Sequence, residues 1–219
     1  MRTGGLYFNI GDYVRVINSP SLNPTNAITI AAWVYPLSIP SPLPRIVTKE
    51  RETMVDSYAL HIHGTTKVFR LHIAGTLLVE GGLVALYSWQ HVAATWDSVS
   101  KLPRLYVNGD LIATGSAYTG PIPSTTYDVL IGNNPTNSRQ FHGIIDDVRI
   151  YNRALSGDEI KAIYERDELI KDGLVLYLDF TEYEGNIAYD KSGNNNNGTI
   201  YGGARWVIKK ALRVLPSAR

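Results

Sequence analysis

The sequence contains no cysteine, so disulfides, thiolate metal sites and thiol nucleophiles are all excluded. A chain of 219 residues can stand on its hydrophobic core alone, so the absence does not argue against export. No charge of one sign dominates: 21 basic side chains face 20 acidic ones, which leaves no long-range field to gather nucleic acid or anionic lipid. No run of about 18 apolar residues exists for a membrane span, and Met1–Gly5 lacks the apolar stretch of a signal peptide. Phenylalanine is scarce, at four, whereas tyrosine numbers 14. Tyr is flat, stiff and tipped with one polar group, which suits sheet surfaces and sugar faces alike.

What is present reads as strand after strand. Asp12–Val16 alternates sides before Asn18-Ser19-Pro20 breaks it, and Ile28–Tyr35 is a longer β-rich run expected to stop at Pro36. Pro36, Pro40, Pro42 and Pro44 cannot donate ladder hydrogen bonds and predict a surface loop. Tyr58–His63 and Phe69–Ile73 form the next pair, then Gln90–Trp96 and Arg104–Val107. Asn108-Gly109 is a strong hairpin signal, because both central positions of a type I′ turn need positive φ. Val129–Gly132 and His142–Tyr151 add two more strands. A helix near 156–168 interrupts them: Ser156 and Glu159 make a capping box, Ile160, Ile163 and Tyr164 make an apolar stripe, and Asp172-Gly173 is the expected stop. Leu174–Phe180 then resumes strand. The pattern predicts an all-β sandwich of about a dozen strands with one short helix, and no linker divides it into two domains.

Several segments in order resemble the laminin-G-like jelly-roll family of the concanavalin A-like superfamily. They are Gly11–Val14, Ile28–Pro36, Trp89–Asp97, Leu105–Asp110, Ile131–Asn133 and Phe141–Ser156. The resemblance implies a two-sheet antiparallel jelly roll. It also exposes a departure, because the family usually opens with segments like Gly173–Phe180 and Tyr189–Asn194, which here stand at the C-terminus. A circular permutant, a piece of a tandem array cut out of phase, or a protomer whose last segment completes its neighbour would each explain that order. The expectation is one domain over 1–219, with residues 173–219 supplying the family's opening strands.

Chemistry is sparse. Glycoside hydrolysis needs two carboxylates flanking the scissile bond, and the Glu-x-Asp-x-x-Glu run of laminarinase-type relatives is missing. Glu50 and Glu52 read as a solvated charge cluster. No serine sits in a Gly-x-Ser-x-Gly elbow, and neither Gly81-Gly82 nor Gly202-Gly203 opens a phosphate-binding helix. His61 and His63 share a strand face with His72 on the probable partner strand, a candidate zinc trio or simply a half-exposed polar face. Calcium is the stronger metal expectation. The resemblance implies an ion held by Asp146, the Asp179 turn and a backbone oxygen near Gly185, although Asp146 and Asp147 could instead pair with Arg149 or Arg153. Trp33, Trp96 and Trp206 read as packing, so the ligand-binding candidates fall on loops: Tyr87, Tyr118, Tyr127, Asn133, Asn134, Asn137 and Arg139.

Three functions follow. The first is a non-catalytic recognition module for glycan or a surface protein, carrying a structural calcium and acting outside the cell or on a particle surface. The second is a structural subunit of a cell-surface layer, fibre or viral particle, with self-association. The third, a polysaccharide hydrolase, lacks its carboxylates.

Overall fold

The computed structural model describes residues 4–52, 54–208 and 213–214. Seventeen strands among them form two antiparallel sheets, and one helix lies outside the pair. In chain order the strands are β1 Gly5–Phe8, β2 Tyr13–Val16, β3 Ala27–Ser38, β4 Arg45–Arg51, β5 Met54–His63, β6 Val68–Ile73, β7 Thr76–Leu83, β8 Gln90–Asp97 and β9 Arg104–Val107. They continue as β10 Asp110–Thr114, β11 Val129–Ile131 and β12 His142–Tyr151, then helix α1 Gly157–Arg166. Last come β13 Leu174–Leu178, β14 Ile187–Ala188, β15 Gly198–Tyr201, β16 Arg205–Ile208 and β17 Arg213–Val214.

The first sheet runs β10-β9-β8-β3-β12-β1-β16-β17, with β13 also paired to β12. The second runs β14-β15-β2-β11-β4-β5-β6-β7. Alternation puts Ile28, Ile30, Ala32 and Val34 of β3 into the space between the sheets, against residues such as Tyr58, Leu60, Phe69 and Leu71 from the other side. Trp96 is fully buried there, and its indole N–H donates to the Tyr118 carbonyl.

β3 is apolar on its outer face too, which calls for a second cover. Helix α1 supplies it: Ile160, Ile163 and the preceding Leu155 pack on Ala31, Ala93, Tyr106, Tyr151 and Leu174. Each aliphatic side chain so buried contributes about 1.5–3 kcal/mol. The Ser156/Glu159 capping box is present, and Arg153 clamps Glu159 through two hydrogen bonds of 2.6 and 3.0 Å. The helix ends earlier than its sequence suggests. Asp167 takes the left-handed conformation at the cap (φ 53°), so Arg166 is the last helical residue and Gly173 only opens the turn into β13.

Two more expectations give way to geometry. β3 passes through Pro36 to Ser38, because the partner strand β12 shifts register between His142 and Gly143 and asks no N–H of the proline. Gly143 is obligatory there: a Cβ would lie 2.2 Å from the Tyr35 carbonyl oxygen, at φ 147°. Glu50 is not solvated. It is 1% exposed and holds Arg45, equally buried, through bonds of 2.7 and 2.9 Å.

The late segments are woven into the early ones. β13 runs antiparallel to β12 from Val148↔Leu178 to Tyr151↔Leu174, β15 lies along β2, and β16 lies along β1 with β17 beyond it.

Candidate functional site

The helix is shorter than the sheet face it covers, and a cleft opens where its cover runs out. Ten helical residues span about 15 Å. Beyond Tyr164 the outer face of β3 continues to Trp33, which stacks on Tyr164 at 5.5 Å and contacts His91 at 5.4 Å. Across the sheet Trp33 faces Asp146 of β12, its register partner. The opposite wall is β13 and the turn after it, with Tyr177, Asp179 and Tyr183. The resulting cavity measures about 960 Å³, and Trp89, Glu165 and Asp167 also line it.

A β-bulge sets the floor. The β3–β12 register slips between Asp146 and Arg149, where Asp147 adopts φ 54°. The slip brings Asp147 beside Arg149 on the outer face, joined by two bonds of 3.0 and 3.1 Å. Arg149 is 1% exposed and reaches further: to Asp167 at 3.3 Å, to the Glu168 carbonyl at 2.7 Å, and over the Tyr177 ring at 4.6 Å. One guanidinium thereby ties the helix C-terminus and β13 to the sheet, fixing two walls of the cleft. Burial raises the Tyr177 phenol above its ordinary range, so it stays a neutral donor and acceptor at neutral pH.

The expected calcium ligands divide. Asp146 and Asp179 do line the same cleft, and Asp179 also accepts from the Thr181 hydroxyl at 2.9 Å. The Gly185 carbonyl instead accepts the Trp206 indole N–H at 3.1 Å. Calcium needs six to eight oxygens, and the described residues hold no group of three or more His, Cys, Asp or Glu side chains placed for a metal. The protein groups seen here therefore make a partial set. The zinc trio also dissolves: His61 and His72 hydrogen-bond each other at 2.8 Å, while His63 is held by Thr66 at 2.6 Å.

Of the loop candidates, Tyr127, Asn134 and Asn137 meet at a second groove of about 600 Å³ over the other sheet, with Tyr13 and Arg15. Asn133 and Asn134 are buried and build their own loop. Asn134 donates to the Glu52 carbonyl and accepts from the Ser138 and Arg139 amides, and Asn133 donates to Asn137. Arg139 accepts the Arg45 amide through its carbonyl. Tyr118 packs edge-on against Trp96 and gives its hydroxyl to Pro121. Tyr87 is 67% exposed and lines neither groove. The cleft aromatics escaped sequence reading because Trp33 sits in an apolar run. The available signal was the outward alternation of Ala31, Trp33 and Tyr35.

Residues 8–161 match the Laminin_G_3 family model, described as concanavalin A-like lectin/glucanases superfamily. The chain belongs to that family. No curated protein sequence matches it at a significant level. Among solved structures it is similar to a proposed carbohydrate binding protein from Bacteroides ovatus, with 20% identity, a TM-score of 0.77 and 99% of this chain covered. The chain spans 61% of the length of that protein. A heptameric SAP-like pentraxin from Limulus polyphemus matches at 14% identity and TM-score 0.70, over 97% of this chain and 98% of its own. The CBM40 of Ruminococcus gnavus IT-sialidase, solved with alpha2,3 sialyllactose, matches at 19% and 0.56, over 74% and 94%. At such identities the likeness shows the jelly-roll fold alone.

Proposed function

We propose that this chain is a non-catalytic carbohydrate-recognition module whose sugar site is the cleft beside the helix end. The observation that carries the reading is the cleft's lining. Trp33, Trp89, Tyr164, Tyr177 and Tyr183 offer aromatic surface, with the carboxylates of Asp146 and Asp179 among them. Sugar rings present C–H faces to aromatic rings, and their hydroxyl pairs donate to carboxylates. The fold's neighbours, a proposed carbohydrate binding protein and a sialyllactose-bound module, support the same reading, with action outside the cell. Two of the glutamates outside the cleft are already taken up by ion pairs. Glu50 is spent on Arg45, and Glu159 on Arg153.

Trp89→Ala and Tyr183→Ala remove aromatic surface at the rim. Each is expected to weaken binding at least tenfold in a calorimetric titration with a hit from a glycan array, at unchanged melting temperature. Unchanged affinity in both would take the site elsewhere, first to the groove of Tyr127 and Asn137. Calcium belongs to this proposal through Asp146 and Asp179. Chelation should lower both affinity and melting temperature if an ion completes the site, and leave both in place if the cleft acts without one. A stable oligomer blind to every sugar would favour the structural-subunit reading.

A further inference from the structure

The strands that floor the cleft at Trp33, Asp146 and Gly5 run on beyond it. Side chains two residues apart on a strand share a face, so Tyr35 follows Trp33 and Tyr7 follows Gly5 on the outer side of the sheet. Tyr35 meets Trp89, a cleft residue, at 5.5 Å between ring centroids. Tyr35 and Tyr7 are both register partners of Ile144 on the strand between them, which sets their Cα atoms about 9.5 Å apart. Both rings are half-buried and so still present surface to solvent. No side chain stands on β1 between the cleft and Tyr7, because Leu6 turns into the core and a Cβ on Gly5 would lie 2.8 Å from the Ile145 carbonyl oxygen.

His142 closes this extension. Its Nε2 lies 3.1 Å from the Tyr7 hydroxyl and its Nδ1 2.7 Å from the Ser38 hydroxyl. A neutral imidazole donates through one nitrogen and accepts through the other. In either tautomer, one hydroxyl accepts the ring N–H and keeps its own proton to give. The other donates to the ring and keeps its lone pairs. The far end thus offers a donor and an acceptor on either side of one ring, which suits sugar hydroxyls. From Asp146 back to His142 the strand covers about 13 Å, roughly the length of three linked pyranoses. Resting on the carbohydrate reading above, we infer that the ligand is a linear oligosaccharide and not a single terminal sugar. One unit occupies the cleft, and the next units lie on Tyr35 and Tyr7 and reach the hydroxyls bridged by His142.

The test titrates the full chain with linear oligomers of one to six units from cellulose, xylan, mannan and β-1,3-glucan. In a series that binds, affinity should rise about tenfold from two units to four and then level off. Tyr7→Ala should lower affinity for the four-unit oligomer about fivefold while leaving that for the two-unit oligomer unchanged. Ser38→Ala, which removes only one hydroxyl, should act in the same direction without disturbing the fold. Equal affinity for two and six units overturns the length inference and leaves the carbohydrate reading standing. So does a length preference that both variants retain, or binding confined to single terminal sugars on an array. A folded protein that binds none of the series, and no other sugar on an array, sinks both.

Discussion

His61 and His72 show what burial does to a side chain that usually answers to neutral pH. They hydrogen-bond across β5 and β6 at 2.8 Å. Burial pushes His72 down to about 4 and His61 well below its ordinary range, and the nearby Arg45 pushes both the same way. A histidine whose pKa falls on folding takes up its proton in the unfolded chain first. Stability is therefore complete above about 6.5 and drains away as pH falls from there toward 4. His72 is partly exposed, which tempers the effect, and about 1–2 kcal/mol should be lost between pH 7 and pH 5. The depressed carboxylate of Glu159, held at about 2 by Arg153, sheds its share only below about 4.5 and stays outside that window. Urea titrations at pH 7 and pH 5 measure the difference, and His72→Gln should reduce it, leaving the share of His61. A variant as acid-sensitive as the parent would place the loss in other groups. Sequence alternation correctly placed these histidines on one face, yet it could not show two of them bonding each other, the ring N–H of one to the ring nitrogen lone pair of the other.

Among the elements, helix α1 was legible at its start and illegible at its end. A capping box is written in two residue types three positions apart, so Ser156 and Glu159 announce it. The end depends on Asp167 adopting a left-handed backbone that Arg149 helps hold from eighteen residues away, and no local pattern encodes that. The same distinction ranks two substitutions. Ser156→Ala removes one cap and should cost about 1 kcal/mol. Arg149→Met leaves Asp147 buried at 2% exposure without its cation, and should cost about 3–5 kcal/mol. It should also loosen Tyr177 and the helix end, so sugar affinity falls with it. Chemical denaturation of both variants decides the ranking; equal costs would mean that Arg149 is an ordinary surface cation, contrary to its contacts.

For the whole molecule, the family's strand order mattered more than any single residue. Composition and turn spacing indicate a sandwich, but only the displaced opening segment suggests that residues 173–219 belong inside it. We propose that they complete the sandwich of their own chain. β13 covers the β12 edge from Val148 to Tyr151, β15 covers β2, and β16 covers β1. Val175, Leu176, Leu178, Phe180 and Trp206 enter the central core. At about 2 kcal/mol per buried side chain these five supply roughly 10 kcal/mol, comparable with the whole stability of an ordinary domain. Deleting residues 173–219 would also bare three strand edges, each a template for aggregation. The truncated chain should therefore be insoluble, not merely destabilised. The full chain should elute as a monomer whose mass in light scattering does not rise with concentration. A soluble, cooperatively melting truncation would mean that residues 4–172 form the domain unaided. A stable dimer of the full chain whose halves exchange only after unfolding would mean that each copy completes its neighbour instead.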